Sequence, residues 1–133
     1  MRVGVPKEIK PDEYRVGLTP TAVREYVDHG HEVLVERGAG QGAGYADDQY
    51  ERAGAKLVDG AEAVFSGAQM IVKVKEPQPI EIARLRPHHL LFTYLHLAAD
   101  KPQAEGLMKS GATCTDMRPA TSLIGLSLSL IHI

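Results

Sequence analysis

Arg15, Lys75 and His96 carry side chains suited to a small carboxylate that also bears a reacting carbon. A planar guanidinium holds a carboxylate through two parallel hydrogen bonds, an ammonium brings a compact charge to a further polar atom, and an imidazole moves a proton near neutral pH. Arg15 sits in the polar loop KEIKPDEYR, Lys75 just past the β-branched run MIVKV, and His96 just past the apolar run LLFTYL. Each is thus at or near the carboxyl end of a different predicted strand, where open α/β sheets place their ligands. Taken singly, each has a plainer reading: a surface charge, a solvated strand-end lysine, and a hydrogen-bonded structural histidine. Only convergence above one sheet would separate chemistry from those readings.

Two other patterns invite a site and are discounted. His29 and His31 flank a helix–strand turn, His88 and His89 follow Pro87, and His132 lies near the C-terminus. None of these has H-x-x-x-H or Cys/His spacing, so no metal site is expected. The run Gly38–Gly44, GAGQGAG, matches G-x-G-x-x-A after the strand HEVLV, with Asp59 at the distance of a ribose-binding acid. A phosphate-binding loop needs its helix to begin inside the glycines, so that N-terminal amides face the phosphate. Here the next helix begins near Asp47, and acidic caps would repel an anion. The expectation is a flexible glycine loop that shapes a cleft.

The elements that must position these residues alternate. MRVGVP and HEVLV read as strands, with a helix between them that starts at Thr19-Pro20, an N-cap followed by proline at the first helical position, and stops at Gly30. A short helix Asp47–Ala53, capped by Asp47 or Asp48, leads to strand AKLV, helical AEAVFSG, and strand MIVKV, which Pro77 closes. A helix from Pro79 to Leu85, a buried strand HLLFTYLHL, a helix capped by Asp100 and ending at Gly111, and a strand GATC complete the series. This grammar predicts a Rossmann-like α/β fold, a doubly wound, mostly parallel sheet.

Composition narrows the classes further. The 133 residues contain 15 Lys+Arg against 17 Asp+Glu, a net charge of −2, too balanced for a nucleic-acid surface. With 44% hydrophobic and 24% charged residues the chain can bury a core and is not disordered. Cys114 stands alone, which excludes a disulfide scaffold and fits the reducing cytoplasm. No apolar run is long enough for a membrane span. The stretch TSLIGLSLSLIHI departs from the strand–helix grammar, and LSLIHI coincides with one reading frame of a common transposase adapter. Residues 1–119 are therefore expected to form the domain and 120–133 to be an artefact, the alternative being a final buried strand.

GVPKEIKPDEYRVGLTP, VERGAGQGAGYAD, IVKVKEP and FTYLHLA together resemble the N-terminal region of alanine dehydrogenases, within a wider group that also includes the proton-translocating nicotinamide nucleotide transhydrogenases. The resemblance runs from Met1 to about Cys114. It implies a truncated substrate domain of a cytoplasmic homohexamer that interconverts L-alanine, NAD and water with pyruvate, ammonia and NADH. It also implies that Arg15 and Lys75 hold the substrate, that His96 is the proton donor and acceptor, and that NAD is bound by a domain missing from this chain. A transhydrogenase alpha chain shares the PKE, RV, TP and glycine-loop features but typically not the histidine-bearing string. It is the runner-up, with a free-standing carboxylate-binding module third.

Overall fold

The computed structural model describes residues 1–95, 101–116 and 130–132. Strands β1 (Arg2–Val5), β2 (Glu32–Glu36), β3 (Lys56–Val58), β4 (Met70–Val72), β5 (Leu90–Thr93), β6 (Thr113–Asp116) and β7 (Leu130–His132) form one sheet in the order β3-β2-β1-β4-β5-β6-β7. The first six run parallel, while β7 lies antiparallel to β6 with Ile131 opposite Cys114. Helices α1 (Pro20–Asp28), α2 (Asp47–Arg52), α3 (Ala61–Gly67), α4 (Pro79–Ile82) and α5 (Lys101–Ser110) connect them.

Period-2 alternation sends the strand side chains to two cores. Val3, Val5, Val33, Val35 and Val72 pack with Val23 of α1 and Tyr50 of α2. Ile71, Leu91 and Cys114 pack on the other face with Val64 and Phe65 of α3 and Leu107 of α5. Both faces are covered, which is what makes the sheet doubly wound, and each fully buried side chain contributes about 1.5–3 kcal/mol. Gly4 shows how closely α3 approaches: a Cβ there would stand 2.7 Å from the Cβ of Ala68. The Thr19 hydroxyl accepts the Ala22 N–H at the start of α1, and Gly30 takes φ +87° beyond its end.

Several elements are shorter than their sequence patterns predict. Strand β4 ends at Val72: Lys73 N–H still donates to Phe92 O on the β5 side, but the N–H of Val74 turns to the Glu8 carboxylate. Strand β5 stops at Thr93, whose hydroxyl reaches back to the carbonyls of Val74 and Lys75. Helix α4 makes one turn and continues to Leu85 as tighter turns, with Arg84 N–H donating to Glu81 O and Leu85 N–H to Ile82 O. Asp47 is not the cap of α2. Ala46 holds that position, the Gln49 side chain accepts its N–H, and Asp47 instead accepts the N–H of Gly38. The cap assigned to Asp100 lies outside the described residues.

Candidate active site

The chain leaves β1 toward β2 and β3, then crosses to β4 and continues the opposite way through β5 and β6. Between the carboxyl ends of β1 and β4 the connections therefore diverge and open a crevice. The loop after β1 carries Glu8, Glu13 and Arg15, and the segment after β4 carries Lys73 and Lys75. Gly17 lets the two approach: a Cβ there would meet the Val72 carbonyl oxygen at 2.4 Å.

Arg15 and Lys75 line one open cleft of about 480 Å³, together with Lys10, Asp12, Glu13 and Tyr14. The turn below it is closed by Glu13 N–H to Lys10 O, with Asp12 at φ 63°, a left-handed conformation that aspartate tolerates. Glu13 then grips Arg15. Its Oε2 accepts the Arg15 backbone N–H at 2.8 Å and Nε–H at 3.0 Å, and Oε1 accepts from Nη2 at 2.8 Å. The Glu13 side chain is buried whereas that of Arg15 is 63% exposed, so the guanidinium stands at the cleft with one edge anchored. Those hydrogen bonds hold the Glu13 carboxyl down at about 2, with the positive charge of Lys75 adding to the effect.

Lys75 is fixed through its backbone. Glu8 Oε1 accepts its N–H at 3.0 Å, and its carbonyl accepts from Lys73 Nζ at 2.6 Å and from Thr93 Oγ1 at 2.8 Å. Lys73 is fully buried and pairs with Glu8 at 3.0 Å and Glu81 at 3.5 Å, carboxylates whose side chains are only 1% exposed. Burial pushes the Glu81 carboxyl up, and Lys73 opposes that rise. None of Glu8, Lys73, Thr93 and Gly17 was expected at the site. A lysine inside the alternating run MIVKV was the available signal, since lysine is almost never fully buried unless paired.

His96 lies outside the described residues. Within the glycine run, Gln41–Ala43 forms a 3-10 turn. It supports the cleft from below, since a Cβ at Gly42 would stand 2.9 Å from the carbonyl oxygen of Tyr14. Among the described residues no group of three His, Cys, Asp or Glu side chains could hold a metal, and no helix is long and apolar enough to cross a membrane.

Residues 4–123 match the family described as alanine dehydrogenase/PNT, N-terminal domain. An alanine dehydrogenase of Halomonas elongata is 53% identical over 114 residues, covering 86% of this chain and 31% of that protein. One from Bacillus subtilis is 49% identical over 113 residues, covering 85% and 30%. A solved L-alanine dehydrogenase superposes with a TM-score of 0.85 at 51% identity over 87% of this chain and 32% of its own. A transhydrogenase from Sinorhizobium meliloti gives 0.82 at 29% identity, over 88% and 33%. The chain spans about a third of the length of these relatives.

Proposed function

This chain belongs to the alanine dehydrogenase/PNT N-terminal domain family, and from that premise we propose that it is the substrate-binding part of an NAD-dependent L-alanine dehydrogenase, which interconverts L-alanine with pyruvate and ammonia. The observation that carries this reading is the meeting of Arg15 and Lys75 at one cleft on the crevice between β1 and β4. With one edge of its guanidinium anchored by Glu13, Arg15 has the end-on edge to offer a substrate carboxylate. The Lys75 ammonium faces the carbonyl oxygen of pyruvate and stabilises negative charge that develops there. His96, assigned from the YLHLA resemblance, gives and takes the proton in the water and carbinolamine steps.

The glycine run does not offer the open amides that the pyrophosphate of NAD needs. Most amides of the run are already bonded within the chain: Gly38 N–H to Asp47, Ala39 to Glu36 O, Gln41 to Gly38 O, Ala43 and Tyr45 to Gly40 O, and Gly44 to Gln41 O. The nucleotide is assigned to a part of the enzyme other than these residues, and the substrate unit to residues 1–119. A cytoplasmic homohexamer is the assembly that goes with this reading.

The test is L-alanine-dependent NAD reduction by the full-length enzyme that carries this chain. Lys75→Ala lowers kcat and kcat/KM together, and His96→Ala lowers turnover by about 10²–10⁴-fold. Absence of alanine-dependent turnover in the unmodified enzyme overturns the assignment.

A further inference from the structure

The residue proposed to meet the reacting carbonyl is Lys75, and both polar atoms of its backbone are held by buried side chains. Glu8 takes its N–H, and Lys73 and Thr93 take its carbonyl. The Glu8 carboxylate does more than this. It accepts Val74 N–H at 2.9 Å on Oε2 and Lys73 Nζ at 3.0 Å on Oε1, so three donors from three successive residues converge on one side chain 65 to 67 positions earlier. Glu8 also stands at the start of the loop that carries Arg15. The same carboxylate therefore ties together the two loops on either side of the crevice.

Stability alone does not account for such an arrangement. Removing a lysine and two carboxylates from water is costly, and well-packed apolar side chains of the same volume often serve a core as well or better. What apolar groups cannot do is hold a particular N–H and a particular carbonyl in fixed directions. We propose that Glu8, Lys73 and Thr93 are positioning residues for Lys75: they clamp its backbone so that its ammonium stands at a fixed place in the cleft relative to Arg15. This rests on the function proposed above, and it adds residues that act through Lys75 without touching substrate.

The experiment compares Thr93→Val, Glu8→Gln and Lys73→Met in the full-length enzyme, each alone and combined with Lys75→Ala. Thr93→Val removes one hydroxyl with little change of shape, and it decides the matter should the ionic variants fail to fold. It is expected to lower kcat by about 3–10-fold with a smaller change in KM, since a slightly misplaced group loses transition-state contact first. In the Lys75→Ala background it should cost nothing further, because the group it positions is gone. Hydrogen exchange of the segment 70–78 gives a readout that does not need turnover: in Glu8→Gln, exchange at the Val74 and Lys75 amides should rise by about tenfold or more. An unchanged kcat in Thr93→Val, an equal loss with and without Lys75, or unchanged exchange in Glu8→Gln overturns the proposal. No alanine turnover in the unmodified enzyme would instead overturn the function, and exchange alone then judges the clamp.

Discussion

Glu13 anchors Arg15 by three hydrogen bonds, one to its backbone N–H and two to a single edge of its guanidinium. A lysine at position 15 keeps the charge but has no second edge, so it cannot pair with Glu13 side-on and still present two parallel donors to a substrate. Arg15→Lys is therefore expected to raise KM for both pyruvate and L-alanine by about tenfold. The substrate carboxylate hardly changes charge along the reaction, so kcat should stay within about threefold. Steady-state kinetics of the full-length variant check this, and an unchanged KM would remove Arg15 from the substrate site.

Gly17 sits against backbone and not against side chains that can swing away. An added Cβ would lie 2.4 Å from Val72 O, 2.8 Å from its carbonyl carbon and 3.1 Å from Lys73 Cα. Gly17→Ala has to push the loop after β1 off the end of β4, at about 1–3 kcal/mol. The same displacement moves Arg15 away from Lys75. Denaturant unfolding should show the lost stability, and kinetics a raised KM. An alanine variant with normal values of both would mean that the loops separate without cost.

His89 is buried with both ring nitrogens committed. Arg86 N–H donates to Nδ1 at 2.8 Å, which leaves Nε2–H to donate to Phe65 O at 2.6 Å. Burial lowers its pKa from the ordinary 6.5, the Phe65 carbonyl opposing that change. A lowered value means the unfolded chain takes up the proton first, so the stability from neutral His89 is present above 6.5 and lost as pH falls through the lower folded value. Thermal unfolding midpoints from pH 7.5 to 5 should fall in the unmodified chain and fall less steeply in His89→Phe. Parallel profiles would show that another group governs the acid limb.

The strands and their order of alternation with helices were legible because they rest on local pattern: β-branched runs, Thr19-Pro20 at a helix start, glycines where φ turns positive. Arg15 and Lys75 were legible as strand-end cations for the same reason. Their support was not. Lys73 and Glu8 lie 65 residues apart and meet only because β1 and β4 are neighbours, which no spacing along the chain reveals. Asp47 looked like a helix cap because aspartate favours that role, yet Gly38 N–H outcompeted the helix for its carboxylate. Gly17 was not legible either, since a glycine that avoids a distant carbonyl reads in sequence like any other loop glycine.

The glycine run separates a structural turn from a nucleotide site by where its amides point. A pyrophosphate loop leaves successive N–H groups open at the start of a helix. Here Gly38 N–H is bound to Asp47, Ala39 to Glu36 O, Gln41 to Gly38 O, Ala43 and Tyr45 to Gly40 O, and Gly44 to Gln41 O. Asp47 and Asp48 also place negative charge in the first turn of α2, where a phosphate would have to approach. Gly42 meanwhile runs so near Tyr14 that an added Cβ would meet its carbonyl oxygen at 2.9 Å, so opening the run to admit a nucleotide would disturb the loop that carries Arg15. Titration of NADH into the purified chain, with its fold checked by circular dichroism, should therefore give no saturable change in nucleotide fluorescence. Asp47→Ala, which frees the Gly38 amide and removes one charge, should not create binding either, because the Ala39, Gln41, Ala43 and Gly44 amides stay engaged and Asp48 keeps its charge in the first turn of α2. Saturable low-micromolar binding to the unmodified chain would show that the run opens in solution and would return Gly38–Gly44 to the cofactor.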